Sequence, residues 1–197
     1  GYKRKTSGLL IADNQSTIFD IGDEPKQIKS KFPDISVVVD EKRVRAINYL
    51  LNNEKFNDLK SIILDDAYQH RKVKPGMSIL LIDYNRPITK DFLLPVGNLR
   101  ERAWRKRRAN LIIVTKTPRD MKPIERRIME KELNIFPYQS MFFTTFKYGK
   151  PKNIFTSEIL SDQLKNKNIL LITGIAMPNP LLNYLSHFTK NIKHIKY

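Results

Sequence analysis

The sequence predicts an α/β fold with a mostly parallel, doubly wound sheet. Short runs of β-branched and aliphatic residues, which are typical of buried parallel strands, alternate with stretches that carry apolar residues at helical spacing. Aspartates stand directly after two of these runs, at Asp65 and Asp83. The carboxyl ends of parallel strands meet at one edge of a sheet, where open α/β folds bind ligands. We therefore expect right-handed crossovers and a polar cleft at that edge.

In the N-terminal half, turn residues and apolar runs divide the chain into short strands and two helices. A polar Asn14-Gln15 turn separates two strand-like runs. Asp23 fits a helix N-cap, and Pro25 suits the first turn of the helix that follows. The expected elements are strands at 7–13, 16–19, 36–39 and 61–64, a helix from Asp23 to before Phe32, and a helix with an apolar stripe at Val44, Ile47, Leu50 and Leu51.

The C-terminal half continues the alternation and then changes character after Pro137. Aromatic residues around Gly149 predict an extended, hairpin-like pair at 141–154 rather than another βαβ unit. The other expected elements are strands at 79–83, 110–115 and 169–174, a basic helix at 100–108, a charged helix at 121–133 and a helix after Pro178. We predict three parts: an incomplete α/β domain at 1–137, linker strands at 138–164 and a second small α/β unit beginning at 165–197.

Charge is the second informative property, because the 197 residues carry a net charge of +16. Such a balance predicts an anionic partner, which is a nucleic acid, an anionic membrane surface or a phosphorylated substrate. The densest basic run, 100–108, contains Trp104 and equally fits a solvated helix face. The chain has no cysteine, which excludes a disulfide framework and cysteine-ligated zinc. No apolar stretch is long enough to span a membrane, so we expect any membrane contact to be peripheral.

The segment Asp65-Asp66-Ala67-Tyr68-Gln69-His70 predicts a metal and phosphate site. Two adjacent carboxylates repel each other unless a cation lies between them, and in phosphate-transferring proteins that cation is usually Mg²⁺. Gln69 and His70 follow about one turn later and are placed to contact phosphates. Asp66 is alternatively a cap for the segment after the strand, and Asp83 is a further candidate at the same sheet edge.

Five segments also carry a family resemblance: Gly1–Lys5, Gly22–Pro25, Asp65–His70, Leu93–Glu101 and Gly174–Pro178. In the same order, they resemble motifs of the tetraacyldisaccharide 4'-kinases of lipid A biosynthesis. Gly22–Pro25 has that family's Gly-Asp-Glu-Pro, and Asp65–His70 is similar to its Asp-Asp-Gly-Phe-Gln-His. Leu93–Glu101 is similar to its Leu-Leu-Pro-Ala-Gly-Pro-Leu-Arg-Glu. The resemblance covers nearly the whole chain.

The resemblance implies transfer of the ATP γ-phosphate to the 4'-hydroxyl of an acylated glucosamine disaccharide 1-phosphate. It implies Mg²⁺ at Asp65 and Asp66, and a cytoplasmic enzyme lying peripherally on the inner membrane of a Gram-negative bacterium. Nucleic acid is not an expected partner. The catalytic candidates are Asp23, Asp65, Asp66 and His70, and the substrate-binding candidates are Tyr2, Arg4, Gln69, Arg100 and Glu101. Asp23 would orient or deprotonate the sugar hydroxyl, although without the resemblance its sequence context favours a helix cap.

The sequence departs from the family pattern at several positions. Ala67 and Ala176 replace glycines, and Asn98 replaces a proline. The Gly-rich phosphate-binding loop of P-loop kinases and the family's Asp-His-His motif are not in the sequence. We therefore expect the chain to be a central piece of such a kinase, with the first strand and P-loop of its kinase-like fold missing, and to be inactive by itself.

Two other function classes stay open at this point. A basic nucleic-acid-binding module explains the charge and the run around Trp104, but no recognised reading motif accompanies them. A non-catalytic interaction domain with a kinase-like fold is the other alternative. The flanking sequence distinguishes these two classes from the kinase, since an upstream phosphate-binding loop in the same reading frame favours the kinase.

Overall fold

The computed structural model describes residues 4–175 and 177–197 and shows a mixed α/β protein with parallel sheets. Its strands are β1 (Leu10–Ile11), β2 (Val38–Val39), β3 (Ile79–Asp83), β4 (Leu111–Thr115), β5 (Ser140–Phe143), β6 (Ile169–Thr173) and β7 (Ile192–Lys196). Its helices are α1 (Ile18–Ile21), α2 (Asp23–Lys31), α3 (Arg43–Asn52), α4 (Pro123–Leu133) and α5 (Asn179–Leu185), with 3-10 turns at Glu54–Phe56 and Ala103–Arg108. None of these helices is long and apolar enough to cross a membrane.

The central sheet has the order β3-β4-β5 and is parallel throughout. Its register pairs Ile82 with Val114 and Ile112 with Met141. Side chains alternate across a strand, so every second residue of β4 points to the same face. Ile112 and Val114 on that face are fully buried and pack with Met129 and Leu133 of α4. The largest core of the protein therefore lies between this sheet and α4.

A smaller N-terminal unit is built on the antiparallel pair β1-β2. Its core consists of Ala12, Ile21 and Val39. The helix α2 begins at Asp23, and its N-cap is Gly22, whose φ of 95° lies in the region that glycine tolerates best. The predicted helix is confirmed, but Asp23 is its first residue and not its cap.

The C-terminal unit is a parallel pair, β6-β7, connected through α5. The strand at 169–174 and the helix after Pro178 are confirmed, whereas β7 was not predicted. Tyr184 of α5 donates a hydrogen bond to the Gly149 carbonyl at 2.9 Å and stacks on Tyr148. The aromatic segment after the central sheet thus contacts this unit.

Two predicted strands are wrong. Residues 18–21 form α1 because Thr17 and Asp20 make a capping box, in which the Thr17 amide donates to the Asp20 carboxylate at 2.7 Å. Residues 61–64 are not a strand, and Ile63 is 91% exposed. A strand needs neighbouring backbone to pair with, and none of the described strands pairs with 61–64.

Two further expectations about the sheet are corrected by the pairing. The expected single doubly wound sheet is three separate sheets in the described part of the chain. The hairpin-like pair at 141–154 is also wrong, since 140–143 is the parallel strand β5 and continues the βαβ pattern through α4. The strands at 79–83 and 110–115 and the helix at 121–133 are confirmed within two residues at each end.

Candidate functional site

A cleft of about 830 Å³ opens between the start of α3 and the turn that follows the paired aspartates. This volume is in the range typical of small-molecule sites. Gln69 and His70, two of the predicted site residues, lie in its wall. The complete lining is 41–45, Asn48 and 69–73.

The segment 65–70 is a compact turn joined to α3. The Asp65 carboxylate accepts a hydrogen bond from the Asp66 amide at 3.0 Å, and Asp66 adopts a left-handed φ of 42°. The His70 amide then donates to the Ala67 carbonyl at 2.8 Å. Arg43 at the start of α3 lies 3.5 Å from the Asp65 carbonyl. Arg43 thus joins the Asp65 backbone to the cleft wall, and both aspartates are exposed outside the cleft lining.

Cations dominate the lining of the cleft. Besides Glu41, which is its only acid, the lining contains Lys42, Arg43, Arg45, Arg71 and Lys72. None of these five was a candidate from the sequence. Arg71 and Lys72 directly follow His70, so their position next to the motif could have identified them from the sequence. The cations of α3 reach the cleft through a long-range contact, which the sequence does not reveal. A concave, cationic surface of this kind favours phosphorylated ligands.

Two residues outside the cleft lining, Arg4 and Gly8, hold the Glu41 side chain in place. Its carboxylate accepts hydrogen bonds from the Gly8 amide at 2.9 and 3.0 Å and pairs with Arg4. Backbone hydrogen bonding, together with Arg4, lowers the pKa of Glu41. The side chain of Arg4 is buried and also donates to the Gly8 carbonyl at 2.7 Å. Arg4 therefore contacts the cleft through Glu41, while Tyr2 lies outside the described residues.

Asp40 and Arg45 form a bidentate ion pair at this end of α3. The Arg45 guanidinium donates to both Asp40 oxygens, at 2.7 and 2.6 Å. These hydrogen bonds lower the pKa of Asp40 from 3.8 to about 2. Because the Asp40 side chain is buried, this bidentate contact fixes Arg45 against the body of the protein. The pair thus orients one of the cations in the cleft wall.

Arg100 lies beside the paired aspartates, 3.6 Å from the Asp66 carboxylate. Glu101, its neighbour, points elsewhere and binds Arg108 at 2.6 Å. The guanidinium of Arg108 also lies over the ring of Tyr68, 4.6 Å from its centroid. The structure therefore brings Arg100 to the aspartates and places Glu101 in a structural ion pair.

Asp23 is exposed at the start of α2, where its carboxylate accepts a hydrogen bond from the Glu24 amide at 3.0 Å. Within residues 4–175 and 177–197, we find no hydrogen bond or ion pair that joins Asp23 to the 65–70 turn. Asp83 is engaged by Lys116 at 2.5 Å. Burial raises the pKa of Asp83, but the hydrogen bonds from Lys116 and Asn85 outweigh it and lower the pKa overall.

Comparison with known families identifies the chain. A profile described as "Tetraacyldisaccharide-1-P 4'-kinase" matches residues 1–196. The chain belongs to this family. The contact between Asp66 and Arg100 joins two segments, 65–70 and 93–101. Both segments resemble motifs of the tetraacyldisaccharide 4'-kinase family.

Several curated relatives are similar over nearly the full chain. The tetraacyldisaccharide 4'-kinase of Phocaeicola vulgatus is 45% identical over 200 residues, which cover 100% of this chain and 55% of the relative. That of Porphyromonas gingivalis strain ATCC 33277 is 48% identical over 90% of this chain and 50% of the relative. That of Flavobacterium johnsoniae is 41% identical over 95% of this chain and 54% of the relative. The chain spans about half the length of these relatives, and no solved structure matches it.

Proposed function

We propose that this chain is part of an enzyme that transfers the γ-phosphate of ATP to the 4'-hydroxyl of a tetraacyldisaccharide 1-phosphate. Its family and the names of its relatives support this activity. The observation that carries the proposal within the structure is the cationic cleft beside Asp65 and Asp66. Phosphoryl transfer depends on positioning and charge neutralisation, and a cleft of this composition supplies both.

Asp65 and Asp66 fit a Mg²⁺ ion that arrives with the nucleotide. Among the described residues, no group of three or more Asp, Glu, His or Cys side chains is gathered that could hold a metal ion. Mg²⁺ does not require one, because it usually keeps several waters and binds one or two carboxylates together with substrate phosphates. Two adjacent exposed carboxylates beside a phosphate-binding cleft suit this mode of binding. Bound there, Mg²⁺ would neutralise charge on the phosphates.

The remaining roles follow from the positions of the side chains. His70 and Gln69 line the cleft, where their side chains would hold a phosphate or the sugar. Arg100 approaches the same site from the loop before the basic 3-10 turn, and its planar guanidinium suits a phosphate group. Asp23 remains our candidate for orienting or deprotonating the acceptor hydroxyl. Its exposed position at a helix start leaves the carboxylate accessible to a substrate.

The test uses the full-length protein that contains this chain. Asp65→Asn and Asp66→Asn keep the size of each side chain and remove its charge, and we expect at least about a 100-fold loss of kcat for transfer from radiolabelled ATP to the lipid acceptor. Asp58→Asn is the matched control, because Asp58 is also exposed but lies outside the cleft.

Two outcomes oppose the proposal at different levels. Normal turnover of both variants would reject the assignment of the aspartates while leaving the activity in place. Failure of the wild-type protein to phosphorylate the acceptor under any Mg²⁺ concentration would reject the activity itself.

A further inference from the structure

The turn 65–70, which carries both aspartates, is not fixed by regular secondary structure. Residues 61–64 before it pair with none of the described strands, and residues 71–78 after it form no helix or strand. The side chains of Asp65 and Asp66 are exposed. Groups that bind a metal or a substrate must be held within about 0.5 Å of their productive positions. The contacts between this turn and the body of the protein must therefore supply that precision.

Tyr68 makes the most buried of these contacts. Its ring is half-buried and packs against the main core between the central sheet and α4. Its hydroxyl donates a hydrogen bond to the Arg105 carbonyl at 3.0 Å, in the basic 3-10 turn 103–108. Burial raises the pKa of the Tyr68 hydroxyl, so the phenol stays protonated and remains a donor at neutral pH.

Two further contacts of the turn are exposed to solvent. Arg43 lies 3.5 Å from the Asp65 carbonyl, at the outer limit for a hydrogen bond. Asp66 and Arg100 lie 3.6 Å apart, and ion pairs between exposed side chains contribute little to stability. Tyr68 is therefore the principal anchor of the turn.

The 3-10 turn that receives the Tyr68 hydroxyl is itself held firmly. Tyr138 donates a hydrogen bond to the Arg107 carbonyl at 2.6 Å. The buried side chain of Gln139 donates to the carbonyls of Lys106 and Ala109, both at 2.8 Å. These contacts tie the 3-10 turn to the segment before β5. Tyr68 therefore connects the 65–70 turn to a rigid part of the protein.

A closed set of contacts links Tyr68 to the exposed ion pair of Asp66. The guanidinium carbon of Arg108 lies 4.6 Å from the centroid of the Tyr68 ring. Arg108 also binds Glu101 at 2.6 Å, and the neighbouring Arg100 reaches back to Asp66. Movement of the 65–70 turn away from the 100–108 segment therefore breaks the contacts at Tyr68 and at Asp66 together.

We propose that Tyr68 is a positioning residue for Asp65 and Asp66, an inference that rests on the proposed function of these aspartates in holding Mg²⁺. Its ring and hydroxyl fix the turn, and with it both carboxylates, relative to Arg100. Tyr68 does not line the cleft, so it acts through the aspartates and not on the substrate. The Asp-Asp-Gly-Phe-Gln-His motif that this segment resembles has a ring without the hydroxyl. The ring therefore carries most of the effect, and the hydrogen bond to Arg105 adds to it.

The Mg²⁺ dependence of the full-length protein tests the proposal. Initial rates of phosphate transfer to the lipid acceptor are measured at saturating ATP over a range of Mg²⁺ concentrations. Loss of a group that orients metal ligands typically costs about 10- to 100-fold in metal affinity or activity. We therefore expect Tyr68→Ala to raise the half-saturating Mg²⁺ concentration by about tenfold or more and to lower kcat, with an unchanged KM for the acceptor. Tyr68→Phe should restore both quantities to within about threefold of the wild type, since one neutral hydrogen bond contributes little.

Tyr138 provides the matched control. Its hydroxyl also donates to a carbonyl of the 3-10 turn, but within the described part of the chain it makes no hydrogen bond or ring contact with 65–70. Tyr138→Ala should keep the wild-type Mg²⁺ requirement, with circular dichroism confirming the fold of every variant. Tyr68→Leu, which keeps more apolar volume in the core, repeats the test if Tyr68→Ala does not fold.

Amide hydrogen exchange in the full-length protein reports on the turn without depending on activity. The His70 amide donates to the Ala67 carbonyl at 2.8 Å within the turn. We expect this amide to exchange about tenfold faster or more in Tyr68→Ala, because a turn without its anchor opens more often. The rate in Tyr138→Ala should stay at the wild-type value.

Three results would overturn the positioning role. They are a folded Tyr68→Leu enzyme with the wild-type Mg²⁺ requirement, an equal change in Tyr138→Ala, and unchanged exchange at His70 in Tyr68→Ala. A higher KM for the acceptor at an unchanged Mg²⁺ requirement would also overturn it, by showing that Tyr68 contacts the substrate. A wild-type protein that transfers no phosphate would instead reject the proposed function on which the inference rests.

Discussion

Arg100 and Asp66 face each other at 3.6 Å, and both side chains are exposed. The pair joins two segments that lie far apart in the sequence. Exposed ion pairs of this kind contribute little to stability, because water solvates both partners in either state. The guanidinium of Arg100 can therefore exchange Asp66 for a phosphate oxygen at small cost, as its proposed role in substrate binding requires.

Arg100→Ala in the full-length protein should lower kcat/KM for the lipid acceptor by about 10- to 100-fold, because a charge-assisted, bidentate contact with a phosphate is lost. The melting temperature should stay close to that of the wild type. Steady-state kinetics and thermal denaturation measure the two quantities. Arg127→Ala, an exposed arginine of α4, is the control and should leave both unchanged. An unchanged kcat/KM in Arg100→Ala would show that Arg100 is a surface residue that does not bind the substrate.

Asp23→Ala should abolish turnover of the full-length enzyme while the fold survives. The carboxylate at the first position of α2 interacts favourably with the helix dipole, but this contribution is about 1 kcal/mol at most. A catalytic role of Asp23 and a role limited to stabilising the helix therefore predict different effects on turnover. A loss of kcat by several orders of magnitude with a nearly constant melting temperature supports the role as base. Glu24→Ala is the control, since Glu24 is an exposed acid in the same helical turn.

The sequence was sufficient for two of the three strands of the central sheet, β3 and β4, each of which is a continuous apolar run with a partner strand. Ile79–Asp83 and Leu111–Thr115 show this, and their register buries Ile82, Ile112 and Val114. The run at 61–64 has the same composition but no neighbouring strand among the described residues, and it is not a strand. Composition indicates that a segment can be a strand, while pairing decides whether it is one.

The candidate site was predictable only in part for a related reason. Asp65, Asp66, Gln69 and His70 are close in sequence, so a local motif was enough to nominate them, and Gln69 and His70 lie in the cleft wall. The cations of α3 enter the cleft through a tertiary contact, that of Arg43 with the Asp65 carbonyl. No periodicity or spacing in the sequence contains such a contact. Glu101, which adjoins Arg100 in the motif, pairs with Arg108, and the sequence does not contain this contact either.

Glu101→Gln should have a larger effect on the stability of the protein than on its catalytic activity. The carboxylate of Glu101 is half-buried against Arg108, whose Nε atom is buried and has no hydrogen-bond partner in the described structure. Loss of the negative charge leaves this guanidinium less compensated, and we expect a decrease of about 1 kcal/mol in the free energy of unfolding. Denaturant titration measures it, and Glu158→Gln at an exposed site is the control. A fully stable but inactive Glu101→Gln enzyme would instead indicate direct contact with substrate.

The contribution of the Asp40–Arg45 pair should depend on pH in a defined window. Hydrogen bonds from Arg45 lower the pKa of Asp40 from 3.8 to about 2, so the unfolded chain binds a proton at this group before the folded protein does. The stabilisation is therefore fully present above the unfolded pKa and is lost as the pH falls through about 2. Asp40→Asn should be less stable than the wild type at neutral pH, and the difference should shrink between pH 3.8 and about 2.

Denaturant midpoints measured across this pH range for wild type and Asp40→Asn give the difference directly. Asp58→Asn is the control, because Asp58 is exposed and has no ion pair with the described residues, and its stability should stay close to that of the wild type. A constant gap between Asp40→Asn and wild type down to the lowest pH would mean that the contact acts through packing and not through charge. In that case Arg45 would be fixed in the cleft wall by shape alone, and its charge would remain uncompensated for an anionic ligand.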